Sequence, residues 1–187
     1  MRAVATAIPD VKVLVPDRHT DDRGFFSETW NRRTFDEAGI PHEFVQDNHS
    51  LSVATGTLRG LHFQLPPHAQ HKLIRVVHGA ILDVAVDLRR GSPTFARHVS
   101  VEISAEAWNQ VFVPVGFAHG YCTLAPNTEI IYKVSDRYAP DCERGLLWND
   151  PALGIDWPVS AGDAVISDRD RQLPPLAELT DIFEVRT

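Results

Sequence analysis

The 187-residue chain has only two cysteines, Cys122 and Cys142. They are too few for a disulfide framework and lack the paired spacing of a zinc site, so reduced thiols are expected. No apolar run approaches the roughly 20 residues that a membrane-crossing helix needs. A basic excess is also missing: 18 Lys and Arg stand against 25 Asp and Glu, a net charge of −7. That balance argues against a grip on long nucleic acids through a general positive field, although it leaves room for a local basic pocket. There is no Gly-rich phosphate loop followed by Lys and Ser/Thr, no dinucleotide fingerprint and no Gly-x-Ser-x-Gly elbow. Kinase, dehydrogenase and serine hydrolase chemistry lose support accordingly. Near the start, Pro9 cuts a short alanine-rich stretch before it reaches the length of a signal-peptide core, so a cytoplasmic location is expected. The sequon Asn48-His49-Ser50 then reads as an accident of composition.

What is present is the composition of a soluble globular protein, 43% apolar and 23% charged. The length suits one domain, residues 1–187, able to bury roughly 70% of its unfolded surface. Period-2 patterns and short apolar runs recur along it and predict strands at 11–15, 24–29, 43–53, 57–64, 72–77, 80–88, 98–103, 110–113, 120–124 and 129–134. Residues 31–38 predict a short outer helix closed by Gly39. From Asp141 onward prolines punctuate weak patterns. Leu146, Leu147, Trp148, Ile155, Trp157 and Ile166 still require burial, so this C-terminal segment is expected to wrap the sheets. About ten strands with short turns predict an all-β sandwich or barrel of jelly-roll type. In 80–88, Leu82, Val84, Val86 and Leu88 form an apolar face, opposed by Ile81, Asp83, Ala85 and Asp87. These acids face either solvent or, for Asp83, a polar cavity; the strand alone leaves both open.

Polar residues are dense inside predicted strands. Gln46, Asp47 and Asn48 interrupt one, Arg59 and His62 another, and His71 and Lys72 begin a third. Interior polar groups need partners, so the set predicts a wet cavity that holds a solute. His62, His68, His71 and His78 raise the possibility of a metal, and the segment 114–119, ending in His119, resembles half of a cupin metal pattern. The other half is broken, because no Asp or Glu lies between His62 and Asp83. Without metal or cofactor, the chemistry open to His, Lys, Tyr and Asp is proton transfer. A histidine oriented by an acid can take a proton from carbon, a lysine can stabilise the enolate oxygen, and a tyrosine can return the proton from the other side.

DRGFFSE at 22–28, QDNHS at 46–50, LRGLHFQ at 58–64, KLIRVVHG at 72–79, DVAVDLR at 83–89, VPVGFAHG at 113–120 and IYK at 131–133 follow one another along the chain. In order and spacing they resemble the dTDP-4-dehydrorhamnose 3,5-epimerase family, over about residues 11–176. The resemblance implies a double-stranded β-helix, the cupin-type jelly roll, with a few short peripheral helices. It implies a homodimer that needs neither metal nor cofactor and converts dTDP-4-dehydro-6-deoxy-D-glucose to dTDP-4-dehydro-L-rhamnose. By the same resemblance His62 is the base, Tyr132 the acid, Asp170 the partner of His62, and Lys72 sits near the C4 oxygen. Arg23, Glu28, Gln46, Asp47, Asn48, Arg59, His119, Glu143 and Arg169 fall at substrate-binding positions, and Tyr138 where an aromatic ring stacks on thymine. Guanidinium forks suit a diphosphate, and an aromatic face with amide edges suits a base.

Other readings stay open at this level: a single-centre 3- or 5-epimerase, a metal-dependent cupin enzyme, or a non-catalytic sugar-nucleotide module. One geometric difficulty stands out. Arg59 and His62 are three apart, which sends them to opposite faces of a regular strand, unless Gly60 permits a bulge.

Overall fold

Alternation along the strands turns residues of one parity toward a shared interior, and two antiparallel sheets close around it. The computed structural model describes residues 1–185. The larger sheet has six strands, in the order Arg2–Ala5, Lys12–Val15, Gln110–Val113, Lys72–His78, Thr128–Val134 and Gln46–Ser52. The smaller has five, in the order His98–Ser104, Ala80–Asp87, Phe117–Thr123, Leu58–Gln64 and Glu143–Gly145. Chain neighbours repeatedly fall in different sheets, so the chain winds between them as a cupin-type jelly roll. Among the described residues no helix is long and apolar enough to cross a membrane.

The strand Ala80–Asp87 resolves its two faces. Ile81 and Ala85 join the core between the sheets, with Ile74, Val76, Val111, Phe117 and Ile130. Val84, Val86 and Leu88 pack instead on the outside, beneath Leu146, Leu153 and Leu179 of the C-terminal segment. Each aliphatic side chain covered in this way contributes roughly 1.5–3 kcal/mol. Asp83 is only 2% exposed and faces inward. Asp87, also buried, is held in its own cage by Arg89, Ser92 and Thr94 rather than in a cavity.

The helix forms at Arg32–Glu37, with the Asn31 side chain accepting the Thr34 N–H at its start. Its Phe35 is buried against Leu14, Leu73 and Phe112 on the outer face of the six-stranded sheet. Several details depart from the sequence reading, among them the following. The strand expected at 24–29 is only Gly24–Phe26, half of an exposed hairpin with His19–Asp21. The strand expected at 43–53 begins at Gln46. Arg2–Ala5 escaped notice because all four residues are exposed, so it carries no alternation. Glu143–Gly145 lies in the stretch read as coil; it is a strand only because it pairs with Leu58–Gln64 at the sheet edge. Of the expected domain 1–187, the last two residues lie outside those described.

Candidate active site

The interior widens at one end of the sandwich into a cavity of about 630 Å³. The six-stranded sheet contributes Ser50, Lys72, Ile74, Ile130 and Tyr132, each on the inward parity of its strand. The five-stranded sheet contributes Arg59, His62, His119 and Tyr121 from the opposite wall. Segment 165–170 lines the rest, through residues that include Arg169 and Asp170. A second compartment of about 330 Å³ adjoins the first, sharing His62, Lys72 and Tyr132, and adds Gln46, Asn48, Gln64, Tyr138 and Glu143.

The spacing difficulty between Arg59 and His62 is removed by a bulge. Across the strand pair His119 aligns with His62 and Tyr121 with Arg59, so two steps on one strand oppose three on the other. The extra residue brings both side chains to the cavity. Gly60 makes this possible with φ of +112°, and a Cβ there would sit 2.7 Å from the Gly120 Cα and the His119 oxygen. Gly60→Ala is therefore predicted to cost about 3 kcal/mol, the upper end of the overpacking range. Thermal unfolding read alongside turnover checks it, and a melting temperature equal to wild type would contradict the close approach.

Two carboxylate–imidazole pairs hold histidines of the five-stranded wall, one part-buried and one buried. The His62 Nε2–H donates to Asp170 Oδ1 at 2.8 Å, which leaves Nδ1 as the free lone pair. Asp170 is 5% exposed, and its second oxygen accepts the Gly60 N–H at 3.1 Å. Burial works against the Asp170 charge, yet the hydrogen bond and charge of His62, with help from Gly60 N–H and Arg169, hold its carboxyl below the ordinary value. The second pair joins His119 Nε2 and Asp83 Oδ2 at 2.8 Å, so Asp83 backs a cavity residue and does not face solvent. Facing these pairs is Tyr132. Burial raises its phenol above the ordinary value, with the nearby Tyr121 adding, Arg59 opposing and Glu143 adding again. Lys72 donates to the His62 carbonyl at 3.3 Å, and burial pushes its ammonium down to about 8, with Asp83 and Glu143 resisting.

The family model described as dTDP-4-dehydrorhamnose 3,5-epimerase matches residues 5–178. The chain belongs to that family. It is 52% identical over 173 residues to the dTDP-4-dehydrorhamnose 3,5-epimerase of Pseudomonas aeruginosa, covering 92% of this chain and 94% of that one. Among solved structures, the Bacillus anthracis 3,5-epimerase with TDP and PPi bound superposes with a TM-score of 0.90 at 50% identity, over 94% of this chain and 99% of that one. The Legionella pneumophila dTDP-6-deoxy-D-glucose-3,5-epimerase, in complex with dTDP-4-keto-L-rhamnose, gives a TM-score of 0.93 at 38% identity, over 100% and 99% of the two chains. The protein is therefore an enzyme, an isomerase of the epimerase class.

The epimerase fold gathers most of the residues singled out from its sequence, but not all. His62, Tyr132, Lys72, Asp170, Arg59, His119 and Arg169 line the larger compartment, and Gln46, Asn48, Tyr138 and Glu143 the smaller. At the junction Tyr138 Oη donates to Glu143 at 2.7 Å, and Arg169 pairs with the same carboxylate. Burial opposes the Glu143 charge, but those two partners keep its carboxyl below the ordinary value. Asp47 stands apart, because alternation turns it to the outer face, where it pairs with Lys133 at 2.8 Å. Arg23 and Glu28 also lie outside the cavity: Arg23 pairs with Asp21 on the exposed hairpin, and Glu28 accepts from Asn31. Ser50, Tyr121 and Gln64 are among the cavity residues that escaped the sequence reading. Ser50 and Tyr121 keep the parity of Asn48 and His119, a signal that was available. Gln64 donates to the carbonyls of His68 and Arg137 and accepts the Ala139 N–H, which clamps both flanks of Tyr138.

Proposed function

We propose that the enzyme converts dTDP-4-dehydro-6-deoxy-D-glucose to dTDP-4-dehydro-L-rhamnose, a step of dTDP-rhamnose biosynthesis, by removing and returning protons at C3 and C5. Both hydrogens are α to the C4 ketone, so a single enolate-stabilising cation serves both centres. His62 Nδ1 is the base, oriented through Nε2 by Asp170. The Lys72 ammonium meets the C4 oxygen as its negative charge develops. Tyr132, kept as a phenol by its raised pKa, delivers a proton from the opposite side. Inversion requires that removal and return take place on opposite faces of the ring. The observation that carries the reading is that a carboxylate-oriented imidazole and a half-buried phenol line one cavity from opposite sheets, with a half-buried lysine on its wall. This chemistry calls for neither a metal nor an organic cofactor.

Arg59 and Arg169 are the guanidiniums available to the diphosphate, His119, Gln46 and Asn48 are hydrogen-bonding partners, and Tyr138 offers an aromatic face to the base. The reading includes one catalytic domain over 1–187, with its C-terminal segment wrapped on the barrel, working in the cytoplasm as a homodimer. A second copy suits the 72% exposed Phe26 and the open edge of strand Gln46–Ser52. It also offers Arg23 and Glu28 a role, since side chains outside their own cavity can meet substrate in another copy.

Incubation with the 4-keto substrate in heavy water tests the reaction: deuterium is expected at C3 and C5, and entry no faster than without enzyme would overturn the reading. Product NMR separates double inversion from a 3- or 5-epimerase. The lysine supplies a pH prediction. The ammonium form is the active one and is lost as pH rises through about 8, so kcat/KM is expected to fall on the alkaline side of that value. A flat profile up to pH ~10, near the ordinary lysine value, would exclude Lys72 from enolate stabilisation.

A further inference from the structure

Tyr138 is a loop residue, 51% exposed, on the connection that leads from strand Thr128–Val134 of one sheet to Glu143–Gly145 of the other. Exposed loops are ordinarily mobile, and a base that had to order one would bind more weakly for it. Here three glutamine side chains that line the smaller compartment hold the loop instead. Gln70 donates to the Asp136 carbonyl at 2.8 Å and Gln64 to the Arg137 carbonyl at 3.1 Å. Gln46 accepts the Tyr138 N–H at 3.1 Å, and Gln64 accepts the Ala139 N–H at 2.9 Å. Four successive residues are thus tied through their backbone, with Gln64 on each side of Tyr138. Gln64 is only 4% exposed, and its other amide hydrogen goes to the His68 carbonyl at 2.6 Å. Both of its donors are spent within the protein, so it has none to offer a ligand.

We propose that Gln64 is the positioning residue for nucleotide recognition: its amide fixes the loop on both flanks of Tyr138, so that the base meets a ring already in place. The inference rests on the reading of Tyr138 as the ring that meets the base. Gln64 works through Tyr138 and touches neither the sugar nor the reacting groups. The Tyr138 hydroxyl, bonded to Glu143 at 2.7 Å, fixes the far end of the same ring, so loop and side chain are set from both sheets. Gln64 also stands two residues from His62 on the same strand, which makes the two roles separable by experiment. A general defect in that strand disturbs the base His62, whereas a loosened loop disturbs binding alone.

The test is a double-mutant cycle: calorimetric binding of dTDP to wild type, Gln64→Met, Tyr138→Ala and the double variant, with kcat and KM measured on the 4-keto substrate. Tyr138→Ala is expected to weaken dTDP by about 5- to 150-fold, the worth of one base stacked on an aromatic ring. Gln64→Met keeps the length of the side chain and removes its amide. It is expected to weaken dTDP by about fivefold or more and to act more on KM than on kcat. In the Tyr138→Ala background the same change is expected to cost much less, about twofold at most, because the ring it serves is gone. An equal factor in both backgrounds, or a kcat that falls as far as the affinity, marks a general structural role and overturns the proposal. Gln64→Asn, one methylene shorter and unable to span the same partners, takes the place of Gln64→Met if that variant does not fold. Wild-type dTDP affinity in Tyr138→Ala removes the stacking reading and the proposal with it. A weakened Tyr138→Ala beside an unweakened Gln64→Met removes the proposal alone.

Discussion

His62→Asn is expected to lower kcat/KM by at least ~10²–10⁴, with deuterium entry at C3 and C5 lost together. One imidazole serves both carbons in this reading, so the two exchanges cannot be separated by removing it. That fall corresponds to about 3–5 kcal/mol of transition-state stabilisation. Asn is the informative replacement because it removes the imidazole with a smaller polar side chain, while Asp170 keeps the Gly60 N–H that it accepts. The fold should survive, since His62 is only part-buried at the cavity wall. Stopped-time NMR in heavy water, alongside a thermal melt, reads both quantities. Full activity in a folded variant would remove His62 as the base.

Tyr132→Phe is expected to divide exchange from inversion. The substitution removes one oxygen and keeps the ring, so packing against the buried cluster between the sheets persists. His62 and Lys72 remain able to form the enolate, and a proton lifted by His62 can return only from the side it left. Deuterium should then enter with configuration retained, while net inversion falls by ~10²–10⁴. Inversion at the wild-type rate would show that the returning proton comes from elsewhere. The prediction is sharp because the two residues project from different sheets, and His62 cannot supply both faces of one ring.

The two variants also show how the sequence and the fold divide the information. Period-2 alternation made the strands legible, and the helix near 31–38 was expected from the Gly39 that closes it, with its Asn31 cap seen only in the structure. The motifs placed His62, Lys72, Tyr132 and Asp170 in one family pattern, because reactive side chains keep their order along the chain whatever the path between them. Alternation also separated the two faces of strand Ala80–Asp87, but it had no means of naming the interior one. The fully apolar face, Val84, Val86 and Leu88, is covered by the C-terminal segment, whereas Asp83 looks inward behind His119. A strand covered on both sides has two cores, and only the path of residues 146–179 reveals the second.

The same limit explains Asp47, which sits among site residues in sequence and on the opposite face in space. It explains Glu143–Gly145, a strand by virtue of its neighbour's edge and not of its own residues. By themselves the residues pointed to the jelly-roll class and, through the order of their motifs, to the epimerase family, since strand alternation and motif order are local patterns. Tertiary structure decided that Gly60 brings Arg59 and His62 to one wall, that Asp170 reaches back across 108 positions to His62, and that Tyr132 confronts them from the other sheet. Those relations depend on which strands become neighbours. That choice is made by burial over the whole chain, not by any segment in isolation.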